Sequence, residues 1–179
     1  MEFSASIKDE LTNLFNYNYF YERVRSEIER SNRYSKPYSI VRFDIDNFKE
    51  VNNKFGFEFG NVVLKQIAEI SKNTSRGSDI IARQEAENFL AMLPEVDLDD
   101  AFVFAERLRR AIEENENFGD EKNQVKLTVS MGIVTYIRKE GMEINQLMQI
   151  LDTAVYQAKQ NGRNCIVPYT SFMPQEDYI

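Results

Sequence analysis

Apolar residues recur at helical spacing in four stretches of the chain and alternate, or run together, in five others. From about Phe15 to Arg33, Phe20, Val24 and Ile28 fall at i, i+4 and i+8 with charges between them, which predicts an amphipathic helix with Pro37 beyond its end. Tyr38 to Asp46 is rich in β-branched and aromatic residues and predicts a buried strand. Val63, Ile67 and Ile70 place a second helix over Asn61 to Ser71. The short apolar runs Asp79 to Arg83 and Phe89 to Leu93 predict two strands joined tightly through Gln84–Asn88, with Pro94 stopping the second. Asp97, Asp99 and Asp100 then suit a helix N-terminus, and Ala101, Ala105, Leu108 and Ile112 form one face behind them. Val125 to Val134 alternates with period two, as a strand does. From Ile144 a last helix aligns Leu147, Leu151, Ala154 and Ala158, and closes with Lys159 and then Gly162. Asn164 to Pro168 is a final short strand. The order α, β, α, β, β, α, β, α, β predicts an α/β domain, a sheet of about five strands flanked by helices.

Composition narrows the chemistry. The chain has 179 residues, which fits one domain able to bury a core without metal or disulfide staples. A net charge of −7 argues against a general binder of nucleic acid or anionic membrane, so an anionic ligand needs a local cluster of Lys and Arg. There is no histidine, which removes His-based triads and most zinc chemistry. One cysteine, Cys165, has no partner for an internal disulfide and suits a reducing cytosol. No apolar run nears the roughly 20 residues that span a bilayer, and Met1-Glu2-Phe3-Ser4 lacks the pattern of a signal peptide. A cytoplasmic location is expected.

Two constellations carry chemistry. Asp44 and Asp46 are two apart at the end of a hydrophobic strand and so share a face, where carboxylates make hard ligands for Mg²⁺ held against phosphates. Arg42 shares that face; it either pairs with Asp44 in place of missing metal charge or snorkels to the sheet edge. The second constellation is Arg76-Gly77-Ser78-Asp79, just before the predicted hairpin. A guanidinium grips a phosphate or the guanine O6/N7 edge, and a carboxylate accepts from guanine N1–H and N2–H. The same spacing also suits a surface salt bridge of little energetic weight.

The order Asp9-Glu10-Leu11-Thr12, Asp44-Ile45-Asp46-Asn47-Phe48-Lys49, Asn52, Gly56, Gly60, Arg83 and Lys159-Gln160-Asn161-Gly162-Arg163 resembles the GGDEF family, which condenses two GTP into cyclic di-GMP. The resemblance covers about Asp9 to Val167 and implies a fold like the palm of nucleotidyl cyclases. It implies metal binding by Asp44, the Ile45 carbonyl and Glu87; phosphate handling by Lys49, Lys159 and Arg163; and guanine recognition by Asn52 and position 61. It also implies an inhibitory-type site for cyclic di-GMP at Arg76 and Asp79, at the family's R-x-x-D offset, joined by Arg107. Residues 1–8 are then a flexible N-terminal end, 9–168 a degenerate GGDEF domain and 169–179 a tail.

The departures concentrate in the catalytic centre. The signature reads Glu85-Ala86-Glu87-Asn88-Phe89, without either glycine and with an amide where the family has a catalytic-centre glutamate. Asn61 replaces the guanine-reading aspartate, and Phe57 stands where the family usually has histidine. The expected function is therefore a catalytically inactive receptor for cyclic di-GMP that regulates a protein partner or self-association. It needs no cofactor for binding, and Mg²⁺ only if cyclase activity survives. A weakly active diguanylate cyclase, a GTP-binding regulator and a ligand-free interaction module are the alternatives, and neither nucleic acid nor membrane is expected as a partner.

Overall fold

The computed structural model describes residues 6–136 and 143–170. Much of the two predicted ends, residues 1–5 and 171–179, lies outside the described residues. The elements are β1 (Phe15–Asn16), α1 (Tyr17–Tyr34), β2 (Tyr38–Ile45), α2 (Phe48–Phe55), α3 (Phe57–Thr74), β3 (Ile80–Glu85), β4 (Asn88–Pro94), α4 (Leu98–Glu113), β5 (Phe118–Gly119), β6 (Gln124–Val125), β7 (Val129–Tyr136), α5 (Ile144–Gln160) and β8 (Ile166–Thr170). Six strands form one sheet in the order β1-β3-β4-β2-β7-β8, with β5 and β6 paired separately. The outer pairs β1/β3 and β7/β8 are parallel, and the inner pairs are antiparallel.

Strand alternation sorts the side chains of central β2 to two cores. Val41, Phe43 and Ile45 pack with Leu64, Ile67 and Ala68 of α3 and with Ala101, Phe104 and Leu108 of α4. Tyr38 and Ile40 pack on the other face with Phe20 and Val24 of α1 and with Leu147, Met148 and Leu151 of α5. Arg42 and Asp44 continue this second face toward the strand's end, under α5. Helix α5 lies close to the sheet because Gly132 of β7 has no side chain: a Cβ there would meet the Ala154 Cβ at 2.8 Å and the Leu151 carbonyl at 3.1 Å. That approach carries Lys159 of α5 over the end of β2.

Three differences from the pattern-based expectation have local causes. The predicted helix at Asn61–Ser71 is the middle of a longer α3, and a further helix, α2, precedes it. Phe48 and Val51 already marked α2 at i, i+3; Gly56 at φ +87° turns the chain between the two helices. The first helix starts at Tyr17, because Phe15 and Asn16 pair with Ala82 and Arg83; the Asn16 side chain then caps it, accepting from the Tyr19 N–H at 2.9 Å. The predicted strand Val125–Val134 splits: Gln124–Val125 pairs with β5, and β7 begins only at Val129. The helix N-terminus expected at Asp97–Asp100 forms, and the Asp97 side chain caps it, accepting from the Asp100 N–H at 3.0 Å.

Candidate functional site

The end of β2 gathers buried charge. Asp44 is 7% exposed, and its Oδ2 accepts from Lys159 Nζ at 2.6 Å. Its Oδ1 is buried with no hydrogen-bond partner. Burial pushes the Asp44 carboxyl above its ordinary pKa, opposed by Lys159 and reinforced by the nearby Glu87. An unpartnered buried carboxylate oxygen beside a second carboxylate is chemically suited to a cation. Among the described residues no group of three or more His, Cys, Asp or Glu forms a metal cluster. Mg²⁺ can be held by one or two carboxylates with its other ligands drawn from water and phosphate, and Asp44 and Glu87 are the residues here that could supply those carboxylates. Near Glu87 the backbone also closes on this strand, its carbonyl accepting from the Ile45 N–H at 3.3 Å.

Asp46 is not the open ligand that its spacing from Asp44 suggests. It is 4% exposed, and its oxygens accept from Ser130 Oγ at 2.6 Å, Thr128 Oγ1 at 2.7 Å and the Asn164 N–H at 3.1 Å. These bonds use the carboxylate to tie β2, β7 and the α5–β8 loop together. Arg42 does not pair with Asp44 either. Its guanidinium makes an ion pair with Asp152 of α5 and a longer contact, 3.4 Å, to Asn88 Oδ1. Lys159 holds the place beside Asp44 that one of the two readings of Arg42 gave to the arginine.

The β3–β4 hairpin closes on a two-residue turn, Ala86-Glu87, between the paired residues Glu85 and Asn88. Ala86 sits at φ +43°, as the first position of such a turn requires. Arg83 braces the turn: its Nε donates to the Ala86 carbonyl at 2.9 Å, and its Nη1 meets both Asp9 oxygens at 3.2 Å. Asp9 in turn accepts from the Thr12 N–H at 2.9 Å and Thr12 Oγ1 at 2.7 Å; although burial raises its pKa, these bonds and Arg83 bring it below the usual range. A left-handed alanine costs about 1–2 kcal/mol, and glycine loses roughly 0.5–1 kcal/mol more entropy on folding. Ala86→Gly should therefore raise stability by about 0.5–1 kcal/mol, read as a higher midpoint in thermal denaturation.

Asn52 of α2 faces Gly60 of α3 so closely that a Cβ at 60 would lie 1.9 Å from Asn52 Oδ1, itself buried without a partner. Asn61 is half-buried next to it, while Lys49, Phe57 and Arg163 are exposed. The structure thus brings Asp44, Lys159 and Glu87 together, and sets Asn52 against Gly60, the chain neighbour of Asn61, on the α2–α3 pair.

The second constellation lies at a separate place. Arg76 and Asp79 close the loop after α3: the Asp79 N–H donates to the Arg76 carbonyl at 3.0 Å, and the Arg76 N–H donates to Asp79 Oδ2 at 2.7 Å. Arg107 reaches over from α4, donating from Nη2 to the Thr74 carbonyl at 2.6 Å. Arg76, Asp79 and Arg107 line one cleft, floored by Leu93, Val96 and Phe104. Burial raises the Asp79 carboxyl, and the Arg76 backbone bond and both arginine charges oppose it. The Arg76 guanidinium makes no ion pair among the described residues. Pattern reading missed Arg109, which occupies the centre of a network on α4; its partner Asn164 is 55 residues away and no local signal joins them.

The α/β domain thus gathers a buried acid and a lysine at the end of its central antiparallel strand, beside a tight acidic hairpin, and presents an arginine-lined cleft elsewhere. Residues 6–165 match the family described as "Diguanylate cyclase, GGDEF domain". The chain is 33% identical over 163 residues to "Probable diguanylate cyclase DgcT" of Escherichia coli (strain K12), a match covering 89% of this chain and 35% of that protein. It therefore spans about a third of that relative's length. The diguanylate cyclase SiaD of Pseudomonas aeruginosa, solved with its activator SiaC, superposes with a TM-score of 0.86 at 33% identity, covering 92% of this chain and 62% of SiaD. The GGDEF domain of DgcB from Caulobacter crescentus, solved in complex with c-di-GMP, shares the fold with a TM-score of 0.85 at 24% identity, over 94% of this chain and 96% of that one. The chain belongs to the GGDEF family.

Proposed function

We propose that this domain is a receptor for cyclic di-GMP whose own cyclase chemistry is lost, and that ligand binding regulates a partner protein or self-association. The observation that carries the reading is the cleft in which Arg76 and Asp79, from the loop after α3, meet Arg107 of α4. Two guanidinium groups and a fixed carboxylate match the phosphates and guanine edge of the ligand. The altered signature supports loss of turnover: Glu85 adds a carboxylate where a triphosphate would lie, and Asn88 offers an amide in place of an acid. No helix among the described residues is long and apolar enough to cross a membrane.

Calorimetry with cyclic di-GMP on the unaltered chain tests this. Binding at micromolar concentration or tighter, with no pyrophosphate released from GTP and Mg²⁺, is the expected result. Absence of binding refutes the receptor. A second reading, a surviving cyclase, draws on the unpartnered Asp44 Oδ1 beside Glu87; Mg²⁺-dependent conversion of GTP would establish it.

A further inference from the structure

Three consecutive residues after α5 hold positive φ: Gly162 at +103°, Arg163 at +65° and Asn164 at +47°. Glycine adopts this freely, but an L-residue such as arginine is strained there by the clash of Cβ with the backbone. Such conformations persist where the surroundings over-determine them. Here the fixing groups are explicit. The Arg163 N–H donates to the Ala158 carbonyl at 3.0 Å. The Asn164 N–H donates to Asp46 Oδ2 at 3.1 Å. The Asn164 amide is used at both ends: its Oδ1 accepts from Arg109 Nη1 at 2.8 Å, and its Nδ2 donates to Glu113 Oε1 at 2.7 Å. One residue thus joins the end of β2, helix α4 and the loop that carries Arg163.

Arg109 is itself locked. It is 13% exposed, its Nε and Nη2 meet the two Glu106 oxygens at 2.8 and 2.9 Å, and its Nη1 also reaches Glu113 at 2.8 Å. These bonds hold the Glu106 carboxyl down at about 2. Asparagine is the side chain that suits position 164. It tolerates the left-handed region and is short, and it supplies one donor and one acceptor. Aspartate would set a second carboxylate against Glu113. Arg163, by contrast, is exposed and its guanidinium has no partner among the described residues. A strained backbone fixed by several hydrogen bonds, carrying one exposed cation, is an arrangement for presenting that cation.

We propose that Asn164 is the positioning residue that aims Arg163 at the phosphates of a nucleoside triphosphate, and that Arg109 acts through Asn164. The proposal concerns the end of β2 and is independent of the cyclic di-GMP cleft. Its probe is the α,β-methylene analogue of GTP with Mg²⁺, which cannot release pyrophosphate and so reports binding alone. Calorimetry on the whole chain should show binding that Arg163→Ala weakens about tenfold, the order expected for a lost charge-assisted bond. Asn164→Ala and Arg109→Ala should each weaken it to a similar degree, and Asn164→Ala should add nothing in the Arg163→Ala background. A purely structural role would lower affinity equally in both backgrounds, and that additivity would overturn the proposal. So would unchanged affinity in Asn164→Ala, or no binding by the unaltered chain. If Asn164→Ala does not fold, Asn164→Gly keeps the backbone conformation while removing the amide, and carries the same expectation. Cyclic di-GMP affinity, measured on the same variants, stays unchanged, which separates failure here from failure of the receptor reading.

Discussion

Arg76→Ala is expected to lower affinity for cyclic di-GMP by ten- to a hundredfold, with little change in the stability of the ligand-free chain. The magnitude follows from losing a charge-assisted bond to phosphate or base, about 1.5–3 kcal/mol. The selectivity follows from what Arg76 does in the free protein. Its side chain is exposed and makes no ion pair among the described residues, and its link to Asp79 runs through backbone atoms that alanine keeps. Arg107→Ala tests the same cleft less cleanly. Its Nη2 bond to the Thr74 carbonyl ties α4 to the end of α3, so its removal costs stability as well as affinity. Calorimetry paired with thermal denaturation separates the two. Unchanged binding by Arg76→Ala would remove the cleft from the account, wherever else the ligand bound.

Much of this architecture is written locally. The β-branched and aromatic run of β2, the apolar stripes of α1, α4 and α5, and the acidic start of α4 depend on neighbours within a few residues, and each appears at or near its predicted place. What sequence pattern hides is pairing across the fold. Asp44 and Asp46 look equivalent in a D-x-D, yet one keeps a free oxygen and the other is saturated by Thr128, Ser130 and Asn164. Their difference is decided by residues more than 80 positions away. Arg42 likewise shares a face with Asp44, but Asp152 on the overlying helix competes for it and wins. The α2–α3 break was legible in principle, since Phe48 and Val51 carry helical spacing ahead of Gly56. The strand beginning at Val125 was over-read because β5 takes Gln124 and Val125 before the main ladder starts.

Restoring the hairpin with Glu85→Gly, Ala86→Gly and Asn88→Glu is expected to raise GTP turnover by about 10²–10³ over the unaltered chain, the usual scale for a missing electrostatic partner. The remnants around the hairpin make this expectation reasonable. Asp44 retains an unpartnered oxygen, Glu87 stands close enough to raise its pKa, and Lys159 is already in place on the other oxygen. The turn itself has kept a two-residue geometry that glycine at 86 fits better than alanine does. Arg42 limits the gain. Its Nη2 lies 3.4 Å from Asn88 Oδ1, so a glutamate at 88 meets a guanidinium that competes with any divalent cation for the new carboxylate. Adding Arg42→Leu to the triple variant should therefore increase turnover further, although it also releases the Asp152 pair. Pyrophosphate release with Mg²⁺ reads all of these directly. Turnover in the unaltered chain equal to that of the restored variant would show that the signature's departures are harmless and that the domain is a working cyclase. Silence in both would point to Asn61, an amide at the position where the family resemblance implies a guanine-reading carboxylate, and Asn61→Asp would then be the change to add.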